Sequence, residues 1–168
     1  VLVLGSGISG LLHIGLARAL GAGLVAAVDT ISYRLKKAGE MGADLTLHGD
    51  DDVITSLRRA NEGRLADLVI ICFDGLIPLA LKAVEKGGTV LFFAGAPEGA
   101  VLPATINDLF WRTETTLTSS YAGAPVDCKT ALSLIKEKTV PVLETVTNRL
   151  SLAEGPSGFQ NVCAPTEH

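Results

Sequence analysis

The stretch that decides the fold is the first ten residues, Val1-Leu-Val-Leu-Gly-Ser-Gly-Ile-Ser-Gly10. Its four leading apolar residues predict a short strand that is buried on both faces. The glycines that follow interrupt this strand and open a helical stretch predicted from about Ser9 to Leu20. They form a G-x-G-x-x-G run, which by itself is a weak signal because glycine-rich turns are common.

An acidic residue at the end of the second predicted strand strengthens this signal. The apolar run Leu24–Val28 is followed by Asp29, which lies 19 positions after Gly10. A strand, a glycine turn, a helix and a second strand ending in an acid at this spacing are typical of dinucleotide-binding sites. The alternative is a glycine turn that serves packing only, with Asp29 as a solvated acid.

Each part of the pattern has a physical role in the predicted site. Gly5 permits the tight turn, Gly7 lets a pyrophosphate approach the backbone, and Gly10 lets the helix pack close to the strand. The helix N-terminus presents free N–H groups to phosphates. We expect Asp29 to accept hydrogen bonds from the adenosine ribose and to repel a 2′-phosphate, which favours NAD over NADP.

The rest of the chain alternates strands with helices, which predicts βαβ units and a parallel sheet. We therefore expect one domain of the α/β class, a doubly wound parallel sheet of six strands. The further strands are predicted at residues 44–47, 67–72, 89–94 and 115–119, and the further helices at 32–41, 51–59, 77–86 and 125–138. Ser151 and Glu154 have the spacing of a capping box, but Gly155 and Pro156 make a helix there doubtful.

The candidate cofactor-binding residues lie at the carboxyl edge of the predicted sheet, where ligands of this architecture bind. They are Gly5, Ser6, Gly7, Ile8, Ser9, Gly10, Asp29, Thr30, Arg34, Cys72, Phe73, Ala94, Gly95 and Ala96. Arg34 either reaches the adenosine or a phosphate, or is an ordinary solvated helix residue. Cys72 is as readily a buried small hydrophobe as a contact. The small residues Ala94–Ala96 would let the nicotinamide end approach.

Composition excludes several other classes of protein. The 168 residues are 48% hydrophobic, enough for a sizeable core, and the scattered lysines and arginines at a net charge of −4 argue against nucleic-acid binding. Three cysteines without C-x-x-C spacing fit neither a disulfide framework nor a zinc site and indicate a reducing cytoplasm. No signal peptide, membrane span, metal site or catalytic constellation is predicted.

Further stretches in this order resemble the cofactor domain of the zinc-containing medium-chain alcohol dehydrogenase family, most closely its sorbitol and threonine dehydrogenase branch. Besides the first ten residues, they are Asp29 with Arg34-Leu35, Ala38 with Met41-Gly-Ala-Asp44, Lys86-Gly-Gly-Thr-Val90, Phe93-Ala-Gly-Ala-Pro97, and Ala131-Leu-Ser-Leu-Ile135 leading to Asn148-Arg-Leu150. The resemblance spans nearly the whole chain, and it rests on the order and spacing of these stretches.

The resemblance implies a Rossmann domain over residues 1–150, with residues 151–168 leading back toward an N-terminal catalytic domain. That domain, GroES-like in shape, would carry the zinc ligands, so zinc is expected only there. Because Val1 already lies inside a predicted strand, we expect the N-terminal catalytic domain to be missing from this chain. The resemblance also implies a homodimer through residues 101–120, with Leu102, Phe110 and Trp111 as candidates at the sheet edge.

The expected function is therefore NAD(H) binding within a zinc-dependent alcohol or polyol dehydrogenase, with the isolated chain inactive. Two other readings stay open from the residues. One is a stand-alone nucleotide-sensing module. The other is an S-adenosylmethionine methyltransferase, although such enzymes usually have an acid where Leu4 precedes the first glycine.

Overall fold

A computed structural model describes residues 1–102 and 104–163 of the chain. The strands are β1 (Leu2–Leu4), β2 (Ala26–Asp29), β3 (Leu45–His48), β4 (Ala66–Ile71), β5 (Val84–Phe92) and β6 (Thr116–Ser119). They form one sheet in the order β3-β2-β1-β4-β5-β6, and every neighbouring pair is parallel. The predicted doubly wound six-stranded α/β sheet is confirmed.

Seven helices accompany the sheet in the described residues. They are α1 (Ile8–Ala19), α2 (Ser32–Glu40), α3 (Val53–Ala60), α4 (Ile77–Ala83), α5 (Ile106–Phe110), α6 (Pro125–Lys136) and α7 (Gly155–Cys163). The chain runs outward from β1 to β3, then returns to place β4 on the other side of β1. The carboxyl ends of β1 and β4 therefore flank the point where the strand order reverses, which is where ligands bind in such sheets.

The central strands of the sheet are buried on both faces because they alternate their side chains between two apolar clusters. Leu2 and Leu4 lie in one cluster with Leu57 of α3, whereas Val3 lies in the other with Ile14 of α1. This explains why the first strand is continuously apolar instead of alternating with polar residues. The central strands fix the position of the glycine motif that follows β1.

The boundary between α4 and β5 differs from the prediction. The helix ends at Ala83 and the strand begins at Val84, whereas the sequence predicted a helix to residue 86 and a strand from residue 89. Val84 is 8% exposed and pairs with Ala66. Gly87, at φ +73°, cannot continue an α-helix. The pairing of Val84 with β4 therefore decides where β5 begins, although the local sequence is typical of a helix.

The C-terminal helix, which the sequence left doubtful, is present. The backbone N–H and the hydroxyl of Ser151 both donate to Oε2 of Glu154, at 2.8 and 2.7 Å, and a short 3-10 helix then leads into α7. Pro156 is tolerated because the first turn of a helix needs no donated N–H. Helix α5 was not predicted. Residues 164–168 of the predicted C-terminal segment, and position 103 of the predicted dimer edge, lie outside the described residues.

The part of the chain after β5 is far more exposed than the part before it. Every residue of β6 is exposed, and in α6 only Leu134 is even partly buried. None of the described helices has the length and apolar character needed to cross a membrane. The buried part of the fold thus ends close to the carboxyl end of β5, where the candidate site begins.

Candidate functional site

The turn after β1 requires glycine at its first position. Gly5 adopts φ +94°, a backbone conformation that side chains oppose, and its N–H donates to the Val28 carbonyl at 2.9 Å. A Cβ placed there would lie 3.2 Å from Cβ of Phe73. The turn thus joins the ends of β1, β2 and β4 at one point.

The other two glycines of the glycine loop, which we define as Gly5–Gly10, meet opposite surroundings. A Cβ on Gly10 would lie 1.9 Å from the Gly5 carbonyl oxygen and 3.4 Å from a methyl group of Val3, so only glycine fits. A Cβ on Gly7 would meet no atom within 4 Å. Gly7 caps α1 with its backbone and leaves open space in front of the helix N-terminus. This is the geometry expected where an anionic group approaches the backbone.

Asp29 ties the end of β2 to this loop. The residue is 6% exposed, its Oδ2 accepts the Ser6 N–H at 2.7 Å, and its Oδ1 accepts the Ile31 N–H at 3.0 Å. The Arg34 guanidinium lies 3.8 Å from Oδ2. A carboxylate offers about four lone-pair sites, so each oxygen keeps the capacity to accept a ligand hydroxyl. The negative charge of Asp29 is therefore held in place beside the glycine loop.

Two further residues at this end were predicted from the motif alone. Ser6 is fully buried, and its hydroxyl has no hydrogen-bond partner in the described part of the chain. Buried hydroxyls without partners are unusual and call for a specific explanation. Thr30 is exposed, and its carbonyl lies 2.9 Å from Nε2 of His48. Thr30 therefore lies at the rim of the site, at the side of β3.

A cleft of about 580 Å³ opens in front of the glycine loop, a volume typical of small-molecule sites. Its first wall consists of the glycine loop, from Ser6 to Ile8, and of α2, including Arg34 and Lys37. Its second wall, the name we use for the cleft-lining residues of segment 145–150 and of α7, lies opposite. The sequence prediction included Ser6, Gly7, Ile8 and Arg34, but missed Lys37 and the whole second wall.

The cleft favours anions. Arg34 and Lys37 line it and each has a carboxylate partner outside the lining, Asp29 at 3.8 Å and Glu40 at 2.7 Å, so the charged groups that face the cleft are the two cations. A hydrogen bond to Glu40, 2.7 Å away, raises the pKa of the Lys37 ammonium, so this group stays charged at neutral pH. Lys37 follows Arg34 by three positions and so shares its helix face, a signal that sequence reasoning could have used.

The residues predicted at the nicotinamide end lie outside this cleft. Phe73 is 57% exposed beside the glycine loop, and the Ala94 N–H donates to the Ile71 carbonyl at 2.9 Å. Gly95 is exposed, with open space around its α-carbon. Ala96 borders a separate apolar hollow of about 400 Å³ between β5, β6 and α4. These residues share the carboxyl edge of the sheet but do not enclose a site.

Cys72 is packed rather than reactive. Burial raises the pKa of its thiol to about 11, so the group is neutral at physiological pH. Its Sγ lies 3.8 Å from Nδ1 of His13, which also lies 2.8 Å from the Ser9 carbonyl. The His13 ring meets the Phe93 ring edge to face, with centroids 4.6 Å apart. The arrangement favours the interpretation of Cys72 as a buried small hydrophobe.

The donor set does not fit zinc. Among residues 1–102 and 104–163, no group of three or more His, Cys, Asp or Glu side chains is placed to hold a metal ion. The open space at Gly7, the anchored Asp29 and the cationic cleft do fit a dinucleotide. The chemistry available to these residues is therefore binding and orientation.

Comparison with known proteins gives a family assignment. The family model described as "Zinc-binding dehydrogenase" matches residues 9–137. Sorbitol dehydrogenase of Homo sapiens is 29% identical over 171 residues, which are 95% of this chain and 45% of that protein. L-threonine 3-dehydrogenase of Bacillus licheniformis is 28% identical over 163 residues, 95% of this chain and 47% of that protein. The chain thus spans about half the length of the curated relatives it matches.

Solved structures confirm the fold. The alcohol dehydrogenase TADH from Thermus sp. ATN1 superposes with a TM-score of 0.85 at 24% identity, covering 96% of this chain and 47% of that one. A short chain alcohol dehydrogenase from E. coli CFT073, complexed with NADH, gives a TM-score of 0.85 at 18% identity. It covers 99% of this chain and 49% of that one.

Proposed function

Because the chain belongs to the zinc-binding dehydrogenase family, we propose that it is the NAD(H)-binding domain of an alcohol or polyol dehydrogenase. The observation that carries the proposal is the open space at Gly7, next to a carboxylate that is fixed by the loop itself. A glycine turn needed only for packing would require Gly10 but would not require empty space at Gly7. When bound, the cofactor would accept or donate hydride.

The residues of the cleft and the neighbouring Asp29 would divide the binding of this cofactor between them. The N-terminus of α1 faces the pyrophosphate with free N–H groups, and Arg34 and Lys37 add positive charge. Asp29 accepts hydrogen bonds from the ribose hydroxyls through lone pairs that Ser6 and Ile31 leave free. The same carboxylate would repel a 2′-phosphate, so we propose NAD rather than NADP.

At the other end of the cofactor, Cys72, Phe73 and residues 94–96 would border the nicotinamide. They lie at the carboxyl edge of β4 and β5, and none of them can transfer a proton at neutral pH. We therefore propose that their role is to shape this edge and exclude water. The alcohol and the zinc ion would be held by a second domain.

Exposed apolar side chains support the existence of such a domain. Four apolar residues at intervals of four positions form a stripe along α1 and its C-cap, and each is 37–76% exposed: Ile8, Leu12, Leu16 and Leu20. Leu132 and Ile135 of α6 are exposed as well. Apolar surface of this extent on a protein usually marks an interface. We propose that residues 1–150 form the cofactor domain and that residues 151–168 lead toward the domain that covers these helices.

We also propose a homodimer that pairs the β6 edges of two chains. Strand β6 is an exposed edge strand, and such strands are templates for pairing with another chain. Exposed apolar residues accompany it within residues 101–120, including Phe110 and Trp111. The free cysteines Cys72 and Cys128 support a cytoplasmic location.

Calorimetric titration of this chain with NADH and with NADPH tests the proposal. We expect NADH to bind more tightly than NADPH. Asp29→Asn should weaken the binding of NADH at least about tenfold, because a charge-assisted hydrogen-bond acceptor is lost. Asp67→Asn is the matched control, because Asp67 is an exposed acid at the opposite end of the sheet. With alcohol and NAD⁺ present, the chain should show no turnover.

Three results would contradict the proposal. They are the absence of NADH binding at millimolar concentration, equal losses in the two variants, and preferential binding of S-adenosylmethionine. Turnover by the chain alone would leave the cofactor site intact but would refute the need for a second domain.

A further inference from the structure

Resting on the proposed function, we propose that Asn148 is a cofactor-positioning residue whose side-chain amide donates a hydrogen bond to a pyrophosphate oxygen. Asn148 belongs to the second wall and lines the same cleft as Ser6 and Gly7. No feature of the glycine motif points to it, because it is far from the motif in sequence. Its position, the orientation of its amide and the charge of the cleft support the assignment.

The second wall is fixed to the same helix that carries the phosphate site. Val140, just before the wall, is 7% exposed and packs with Leu11 and Ile14 of α1. A Cβ on Gly15 of α1 would lie 2.9 Å from a methyl group of Val140, so the segment and the helix approach each other closely. The segment that leads into the second wall is therefore packed against α1, and Asn148 follows it at an exposed position.

The amide of Asn148 is oriented by its neighbour. The Thr147 hydroxyl donates to Oδ1 of Asn148 at 2.8 Å. The acceptor end of the amide is thereby occupied, whereas its N–H donors bond to no other group of the described residues. An amide whose oxygen is engaged in this way has its two N–H donors left for a ligand in the cleft, and donors are what a phosphate oxygen requires.

The charge of the second wall agrees with this role. Its residues on the cleft are hydroxyls, amides and apolar groups, including Thr145, Asn148 and Asn161, with no carboxylate among them. Opposite, Arg34 and Lys37 are positive. Glu154, which precedes α7, is engaged with Ser151 instead of the cleft. A pyrophosphate between the walls would meet cations on one side and neutral donors on the other.

The test replaces the amide by a carboxylate of the same shape. Asn148→Asp should weaken NADH and ADP-ribose about tenfold or more, because it exchanges donors for a like charge near the phosphates. Adenosine, which has no phosphate, should bind equally well to both proteins. Thr147→Val, which removes the hydrogen bond to the amide and a hydroxyl from the cleft lining without adding charge, should weaken NADH binding about two- to threefold.

Gln160→Glu is the matched control for the added charge. Gln160 is exposed on α7, next to Asn161 in sequence, but does not line the cleft. The proposal is overturned if NADH binds the wild-type chain and Asn148→Asp with equal affinity. It is also overturned if Gln160→Glu lowers the affinity for NADH as much as Asn148→Asp does, or if Asn148→Asp lowers the affinity for adenosine by the same factor. Failure of the wild-type chain to bind NADH at all would instead refute the proposed function, and this inference with it.

Discussion

The chain before the end of β5, residues 1–92, and the chain after it, residues 93–163, differ in how they use apolar residues. Both are rich in them, yet the buried hydrophobic residues lie in the first region, and Val140 alone joins them from the second. Leu57 of the first region is 1% exposed, whereas Leu152 of the second is 97% exposed. The first region has a complete core, and the second offers apolar faces that a further surface can cover.

The difference follows from the neighbours of each element. Strands β1 and β4 have a strand on each side and helices above and below, so β1 is fully buried and β4 is buried over Val69–Ile71. Strand β6 has one neighbouring strand, and α6 contributes only Leu134 to the core. An apolar residue of the same type is therefore buried in the core in one region and exposed at the surface in the other.

The sharpest test within the first region compares two glycines of the same loop. Gly10→Ala should cost more than about 3 kcal/mol in the free energy of unfolding, because the new methyl group overlaps the Gly5 carbonyl. Gly7→Ala should change it by less than about 1 kcal/mol, since its surroundings are open. Urea denaturation gives both values. Similar losses would mean that the loop is not packed as described.

A second test compares the two regions directly. Leu57→Ala removes a fully buried side chain and should destabilise the chain by about 2–5 kcal/mol. Leu152→Ala, at an exposed position, should leave the free energy of unfolding within about 0.5 kcal/mol of the wild-type value. Thermal and urea unfolding measure the pair. A loss at Leu152 close to that at Leu57 would show that the second region has its own core.

The smallest expected effect concerns two of the three cysteines, Cys72 of the first region and Cys128 of the second. Burial raises the pKa of Cys72 to about 11, and Cys128 is exposed. At pH 8, iodoacetamide should therefore modify Cys128 at least about tenfold faster than Cys72, as followed by peptide mass spectrometry. Because a raised pKa leaves the thiol neutral below it, the rate at Cys72 should increase as the pH rises toward 11. Equal rates at pH 8 would contradict the burial of Cys72.

Sequence reasoning placed the half of the site that belongs to the glycine motif. The role of Gly10 follows from spacing alone, and the structure shows why no other residue fits there. The same reasoning gave the class of fold and the order of most elements. It misplaced the boundary between α4 and β5, because the pairing of Val84 with Ala66 joins residues from two different segments.

The second wall shows where the sequence stops being informative. Asn148 belongs to one of the stretches that carry the family resemblance, but no spacing relative to the glycine loop assigns it to the cleft, which it lines together with Ser6 and Gly7. Likewise, nothing in the sequence alone separates the buried Leu57 from the exposed Leu152.

By itself, then, the sequence determined the strand–turn–helix unit with its glycine loop and the acid at Asp29, because these depend on backbone geometry and chain spacing. Tertiary structure alone decided that the apolar residues after β5 stay largely exposed, where β5 begins and which residues line the cleft together with Gly7. Each of those depends on contacts between segments distant in the chain, and such contacts leave no periodic pattern in either partner.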